Sequence, residues 1–328
     1  MNVLMIYRHP QMGFSVGKVF KPIEEELKKI AEVDSVYMPV PNYSLMGLIA
    51  NIIAARKAVK RKKYDVIHIV GTENYLIPFL KNERVVVTVH DFASLRLRTK
   101  GIRAFIKDIL FIKSLKKASA VTFISKQTEL EGFSLVNFDK EKCFVVHNAV
   151  DENYIYSPKE LAKDKPVFLH IGIKPNKNLS RTILALNGRN ASLRIIGKVK
   201  PADLALLDKY NVDYSYTYNL TDEEIYEEYK KCDIVNFPSL YEGFGMPIIE
   251  GNAVGRVVVT SNLAPMNEIA NDAAVLVDPQ NVESIRAGYD EALSRYAELV
   301  EKGLKNVCRY KKAEIARQYY SVYEAILR

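Results

Sequence analysis

Residues Asn236–Pro265 read NFPSLYEGFGMPIIEGNAVGRVVVTSNLAP. The stretch opens as the end of a short apolar strand, Ile234–Phe237. It breaks at Pro238-Ser239 and turns through Glu242-Gly243-Phe244-Gly245 into a helix that begins near Met246. Pro247 falls in the first helical turn, where its missing N–H costs little. A second apolar run, Val257–Thr260, follows the helix. Strand, glycine turn, helix and strand form one unit of a doubly wound α/β sheet, in which ligands bind beyond the strand ends. Glycine on either side of Phe244 lets backbone amides approach a ligand closely, and the positive end of the helix favours phosphate there. Glu250 lies one turn into that helix and is expected to point toward the same crevice as Glu242. Two readings of this carboxylate pair stand. Either each stabilises the helix N-terminus by about 0.3–1 kcal/mol, or both accept hydrogen bonds from ligand hydroxyls while the amides hold phosphate oxygens. The second suits a ligand that carries hydroxyls and phosphates together, such as a nucleotide sugar.

Outward from this stretch the same alternation fills the chain. Val167–Ile171, Leu193–Ile196, Tyr214–Tyr218 and Ala274–Val277 complete a set of strands in the second half. Val3–Tyr7, Val66–Val70, Val85–Val89, Ala120–Ile124 and Cys143–Val146 supply the first half. Most are continuous β-branched runs, as expected of strands buried on both faces of a parallel sheet. Helix-length segments at about 16–31, 44–63, 101–117 and 126–135 lie between the first five. The expected architecture is therefore two Rossmann-like doubly wound domains, 1–155 and 156–328. The polar, proline-containing stretch 151–166 joins them, and the chain closes with an amphipathic helix in Arg309–Leu327 that needs a surface to cover.

Composition narrows the classes. The 328 residues suffice for about two domains. The longest apolar stretch, Leu45 to Ala55, falls short of the ~20 residues of a spanning helix. The start, MNVLMIYRHP, reads directly as a strand without a leader pattern, which predicts a cytoplasmic protein. Cys143, Cys232 and Cys308 are too few and too scattered for a disulfide framework or a zinc site. The net charge of +8 belongs to the first half, where 24 Lys+Arg face 14 Asp+Glu in residues 1–150. That imbalance points to an anionic partner or to solubility alone. Two segments concentrate it. Leu45–Lys63 is apolar early and carries Arg56, Lys57, Lys60, Arg61, Lys62 and Lys63 late; Ile102–Lys117 sets Arg103, Lys107, Lys113, Lys116 and Lys117 among apolar residues. Such helices either lie on an anionic membrane surface or pack on the sheet with solvated outer faces. No recognition helix, aromatic RNA-binding signature or zinc module supports a nucleic acid partner.

The Glu-x7-Glu element from Glu242 to Glu250, with its Gly-Phe-Gly-x-Pro and the preceding Pro-Ser-Leu, resembles the signature of the family 4 (group 1) retaining glycosyltransferases. Asn267-Glu268-Ile269-Ala270 and Val277-Asp278-Pro279 match further on. Val89-His90-Asp91, Ile124-Ser125, Val146–Asp151 and Gly172-Ile173-Lys174-Pro175-Asn176-Lys177-Asn178 match in the same order. The resemblance implies the GT-B fold of two facing Rossmann-like domains, and transfer of a sugar from a nucleotide-diphosphate donor, of UDP or GDP type, to a hydroxyl of a glycan, glycolipid or lipid-linked acceptor. It implies no cofactor and no metal; no Asp-x-Asp motif stands near a strand end. By position, Glu242, Gly243, Phe244, Gly245 and Met246 would line the sugar site and Glu250 the ribose. Lys177 would hold the diphosphate. The family's accompanying arginine is replaced by Asn176 or Ile173, with Lys174 as the candidate substitute. Gly197, Lys198, Tyr218, Asn219 and Leu220 would lie near the base; for Lys198 a solvated surface charge is the other reading. His90 would approach the donor sugar or the acceptor, and Gly13 would belong to a glycine loop near the donor phosphates. The competing class is a non-catalytic GT-B protein that binds a sugar nucleotide or regulates a partner. Another enzyme on the same fold, an epimerase or a phosphorylase, is disfavoured by the Glu-x7-Glu spacing.

Overall fold

The structure is a computed structural model that describes residues 1–12, 15–81, 83–92 and 108–328. The chain forms two compact units, residues 1–149 with 312–328, and residues 150–311.

The first unit is built on a six-stranded sheet of β1 (Asn2–Tyr7), β2 (Glu32–Tyr37), β3 (Val66–Ile69), β4 (Val85–Val89), β5 (Ala120–Phe123) and β6 (Cys143–Val145). Their order is β2-β1-β3-β4-β5-β6 and every pairing is parallel. Strands β3, β4 and β5 are buried along their whole length, which accounts for their unbroken apolar sequence. Helices α1 (Ser15–Leu27), α2 (Leu45–Val59) and α3 (Lys126–Leu135) connect them. Ser44 and Ser125 cap α2 and α3, each accepting a hydrogen bond from a backbone N–H of the first turn.

The second unit carries β7 (Val167–Ile171), β8 (Ser192–Ile196), β9 (Asp213–Thr217), β10 (Ile234–Phe237), β11 (Val257–Ser261) and β12 (Val275–Val277), in the parallel order β12-β11-β10-β7-β8-β9. Around them lie α4 (Leu179–Leu186), α5 (Pro201–Lys209), α6 (Asp222–Lys231), α7 (Met246–Val254), α8 (Met266–Ala270), α9 (Val282–Ser294) and α10 (Tyr296–Val307). A capping box between Thr221 and Glu224 starts α6, and the Asn281 side chain starts α9.

Three expectations from sequence change. The final helix, α11 (Lys312–Ala325), expected in the second domain, packs in the first unit. Its Ile315, Tyr319, Val322 and Tyr323 are buried with Val3, Met5, Phe20 and Ile23, so its apolar stripe covers β1 and α1 and the boundary falls at 149 rather than 155. The helix expected over 44–63 ends at Val59, leaving Arg61–Lys63 on the turn into β3, where Lys62 pairs with Glu32 and Asp34. Of the helix expected over 101–117, residues 101–107 lie outside the described residues; the rest is a π-helical turn, Asp108–Ile112, followed by a 3-10 turn, Lys113–Lys117.

Candidate functional site

In the second unit the C-terminal ends of β7, β8 and β10 share one edge of the sheet, since the strands are parallel neighbours. The loop after β7 carries Lys177 on a 3-10 turn, Pro175–Lys177, and the loop after β10 carries Glu242. Lys177 Nζ donates to Glu242 Oε1 at 2.7 Å. Both side chains are mostly buried, with 19% and 15% exposure, and Lys177 Nζ lies 4.6 Å from the centre of the Phe237 ring. The Lys177 stem runs over Gly172, which has φ +89° and where a β-carbon would come within 3.1 Å of Lys177 Cγ.

The two loops are bound to each other independently of that ion pair. Leu240 N donates to Asn176 O at 2.7 Å, and Asn176 Nδ2 donates to Tyr241 O at 3.0 Å and Glu242 Oε1 at 3.3 Å. Asn176 thus does not replace the family's arginine as a cation. It fixes the carboxylate in place. Asn178, in left-handed conformation at φ 65°, is buried and donates to Pro238 O and Pro279 O, drawing in the loop after β12 as well. Neither asparagine stood out from sequence as a site residue, because the loops they fasten lie sixty or more residues away.

Gly245 starts α7 with φ +113°, a conformation that favours glycine, and Pro247 follows at the helix start. The Phe244 side chain is buried edge-on against Tyr310, with ring centres 5.9 Å apart, so the residue anchors the turn and only its backbone is left to line a ligand. Gly243 and Met246 flank it, both half-buried. Glu250 accepts from the Tyr229 hydroxyl at 2.6 Å, across to α6. Burial and the Glu250 charge together raise the Tyr229 hydroxyl well above its ordinary pKa, so it stays a donor to that carboxylate. Gly197 closes β8, its N–H donating to Thr217 O at 2.7 Å. Lys174, Lys198, Tyr218 and Asn219 are exposed and Leu220 is half-buried.

In the first unit, Arg8, Glu73 and His90 follow the C-terminal ends of β1, β3 and β4, adjacent strands of one parallel sheet. The His90 Nε2–H donates to Val70 O at 3.0 Å, leaving Nδ1 as an acceptor, and burial lowers the ring's pKa so that it is neutral near pH 7. Glu73 is 1% exposed, and its Oε2 has no hydrogen-bond partner among the described residues. Burial pushes its carboxyl up to about 7 against the pull of the Arg8 charge. Sequence reading found His90 through its strand end but passed over Glu73, whose burial is a tertiary property. Gly13 lies outside the described residues. Among those residues no three His, Cys, Asp or Glu side chains gather as a metal-binding set, and no helix is long and apolar enough to cross a membrane.

Residues 154–307 match the family model of glycosyl transferases group 1, and residues 15–154 match that of glycosyltransferase family 4. The O-antigen chain mannosyltransferase RfbU of Salmonella typhimurium is 26% identical over 252 residues, 71% of this chain and 69% of that protein. The serotype-specific mannosyltransferase WbdA of Escherichia coli is 25–26% identical over 268 residues, 74% of this chain, which spans 31% of its length. Among solved structures, sucrose-phosphate synthase from Thermosynechococcus elongatus superimposes with a TM-score of 0.79 at 17% identity, covering 99% of this chain and 98% of that one. Anabaena HepE in complex with UDP-glucose gives 0.73 at 16%, covering 98% of each. Two adjoining family models that together span both units, on this fold, place the chain in the group 1, family 4 glycosyltransferases with the GT-B fold.

Proposed function

We propose that this glycosyltransferase carries a mannosyl group from a nucleoside-diphosphate sugar, of UDP or GDP type, to a hydroxyl of a glycan or glycolipid acceptor. The configuration at the anomeric carbon is retained, no metal is needed, and the protein works in the cytoplasm against an anionic membrane surface. The sugar assignment is supported by the mannosyltransferase relatives. The observation that carries the reading is the Lys177–Glu242 pair, 2.7 Å apart at the sheet edge beside the N-terminus of α7.

The chemistry follows from that pair. The Lys177 ammonium has three donors, so it can hold Glu242 and a diphosphate oxygen together. Glu242 Oε1 takes the lysine, and Oε2 has no partner among the described residues, which leaves it to accept from donor sugar hydroxyls. The amides of Gly243–Met246 and the positive end of α7 neutralise charge on the leaving diphosphate. Glu250 accepts from ribose hydroxyls, Lys174 supplements Lys177, and Gly197, Lys198 and residues 218–220 surround the base. In the first unit His90 Nδ1 accepts from a sugar hydroxyl. The acceptor oxygen bonds to the anomeric carbon as the bond from that carbon to the phosphate oxygen breaks, and the acceptor proton passes to the departing diphosphate.

Transfer assayed with EDTA present, with the product anomer read by NMR, tests the reading. An α-linked product from an α-donor supports it; an inverted product or a strict metal requirement contradicts it. Glu242→Ala should reduce turnover at least about 100-fold and cost about 1–3 kcal/mol of stability, because it leaves the mostly buried Lys177 ammonium without its carboxylate. Unchanged turnover would remove Glu242 from the site.

A further inference from the structure

The 2.6 Å hydrogen bond from the Tyr229 hydroxyl to Glu250 Oε2 joins a fully buried donor on α6 to a half-buried carboxylate on α7. The tyrosine is held at its backbone and at its ring. Its carbonyl accepts from Arg256 Nε at 3.0 Å and from Cys232 Sγ at 3.3 Å. Its ring meets Tyr154 nearly at right angles, with centres 5.4 Å apart, and Tyr154 meets Tyr226 in the same way at 5.8 Å. The Tyr226 hydroxyl donates to Ile155 O at 3.0 Å. The segment that enters this unit at Val150 therefore braces the ring that holds Glu250.

A glutamate on a helix surface ordinarily samples several rotamers, and a ligand that uses it must meet the cost of ordering it. Here that ordering is done before any ligand arrives. Tyrosine has only two side-chain torsions to fix, and packing fixes both. Burial and the Glu250 charge keep its hydroxyl protonated, so it acts only as a donor and favours the ionised carboxylate. A carboxylate has about four acceptor positions, and this bond uses one of them. Fastening α6 to α7 does not require the bond, because Arg256 already reaches Tyr229 O and Lys230 O on α6 and Val254 O on α7. What the bond adds is a fixed direction for Glu250.

We propose that Tyr229 is a positioning residue for donor recognition: it presents Glu250 to the ribose hydroxyls and so sets how strongly the site prefers a ribonucleotide to a deoxynucleotide. The inference rests on the proposed reading of Glu250 as the ribose ligand and deepens it. Tyr229 does not touch the nucleotide. Its effect passes entirely through the carboxylate, so it disappears when either the carboxylate or the ribose hydroxyls are removed.

Calorimetric titration with UDP, GDP and their 2′,3′-dideoxy analogues tests it. The wild type should bind the ribonucleotide at least about 100-fold more tightly than the dideoxy form. Tyr229→Phe deletes one oxygen and fills the same space. It should weaken the ribonucleotide about tenfold and leave the dideoxy analogue within about twofold. In transfer assays the same variant should raise KM for the nucleotide sugar and keep kcat within about twofold. Tyr226→Phe removes a hydroxyl of the same aromatic stack that donates to a backbone carbonyl instead, and it should keep the wild-type ratio. In Glu250→Ala the ratio should fall close to one, and adding Tyr229→Phe should change nothing further. Equal weakening of both analogues, an unchanged ratio in Tyr229→Phe, or the same loss in Tyr226→Phe would each overturn the inference and leave the donor site standing. No binding of either ribonucleotide by the wild type would overturn the donor reading, and this inference with it.

Discussion

Glu73 is a buried carboxyl with one oxygen unpartnered among the described residues, and it titrates near pH 7 rather than near 4.5. Between those values the folded protein holds a proton there that the unfolded chain has released. Stability therefore falls as pH rises through that window, by about 3 kcal/mol in all. Glu73→Gln keeps the shape without the charge and should remove this slope. Urea unfolding at pH 5 and pH 8 measures it, and equal losses in variant and wild type would contradict the assignment. The comparison also shows what a sequence carries at this scale. Glu242 and Lys177 were legible because a motif and a strand end mark each one. Their mutual contact was not, since 65 residues separate them. Asn176 read as the loss of an arginine, whereas its hydrogen bonds to Tyr241 and Glu242 give it a positioning role.

Among elements, the ends of α6 and α7 are fastened by one side chain. Arg256 is fully buried and reaches the backbone carbonyls of Ser157, Tyr229, Lys230, Val254 and Gly255. Lysine has three donors and no planar fork. Arg256→Lys should therefore strand at least two carbonyls and cost about 3 kcal/mol, read by chemical denaturation; a loss under about 1 kcal/mol would show that water replaces the guanidinium without penalty. Strands were legible wherever both faces are buried, as in β3, β4 and β10. The edge strand β2 escaped because its outer position lets Glu32 and Asp34 stand in it, so no apolar run marks it. The reach of α2 was overestimated for a related reason. Arg61, Lys62 and Lys63 extend a helical composition past Val59, but composition does not register the turn that brings Lys62 to Glu32 and Asp34.

At the scale of the whole molecule, the chain crosses twice between its units, at 149–150 and again at 311–312. The amphipathic stripe of α11 was plain in the sequence, but which unit it would cover was not, because a stripe states only that an apolar partner exists. Tyr323 carries much of that packing: it is fully buried, and its hydroxyl meets His68 Nδ1 at 2.7 Å. Tyr323→Ala should destabilise the first unit by about 3–5 kcal/mol by opening a cavity and leaving His68 short of a partner. A loss confined to the second unit, followed by hydrogen exchange, would contradict the placement of α11. The account turns on a donor site in the second unit, and the most direct test is calorimetric titration of the purified protein with UDP- and GDP-mannose in EDTA, beside Lys177→Gln. One saturable site that weakens at least about tenfold in the variant is the predicted result. No binding of either nucleotide sugar, or equal binding by the variant, would contradict it.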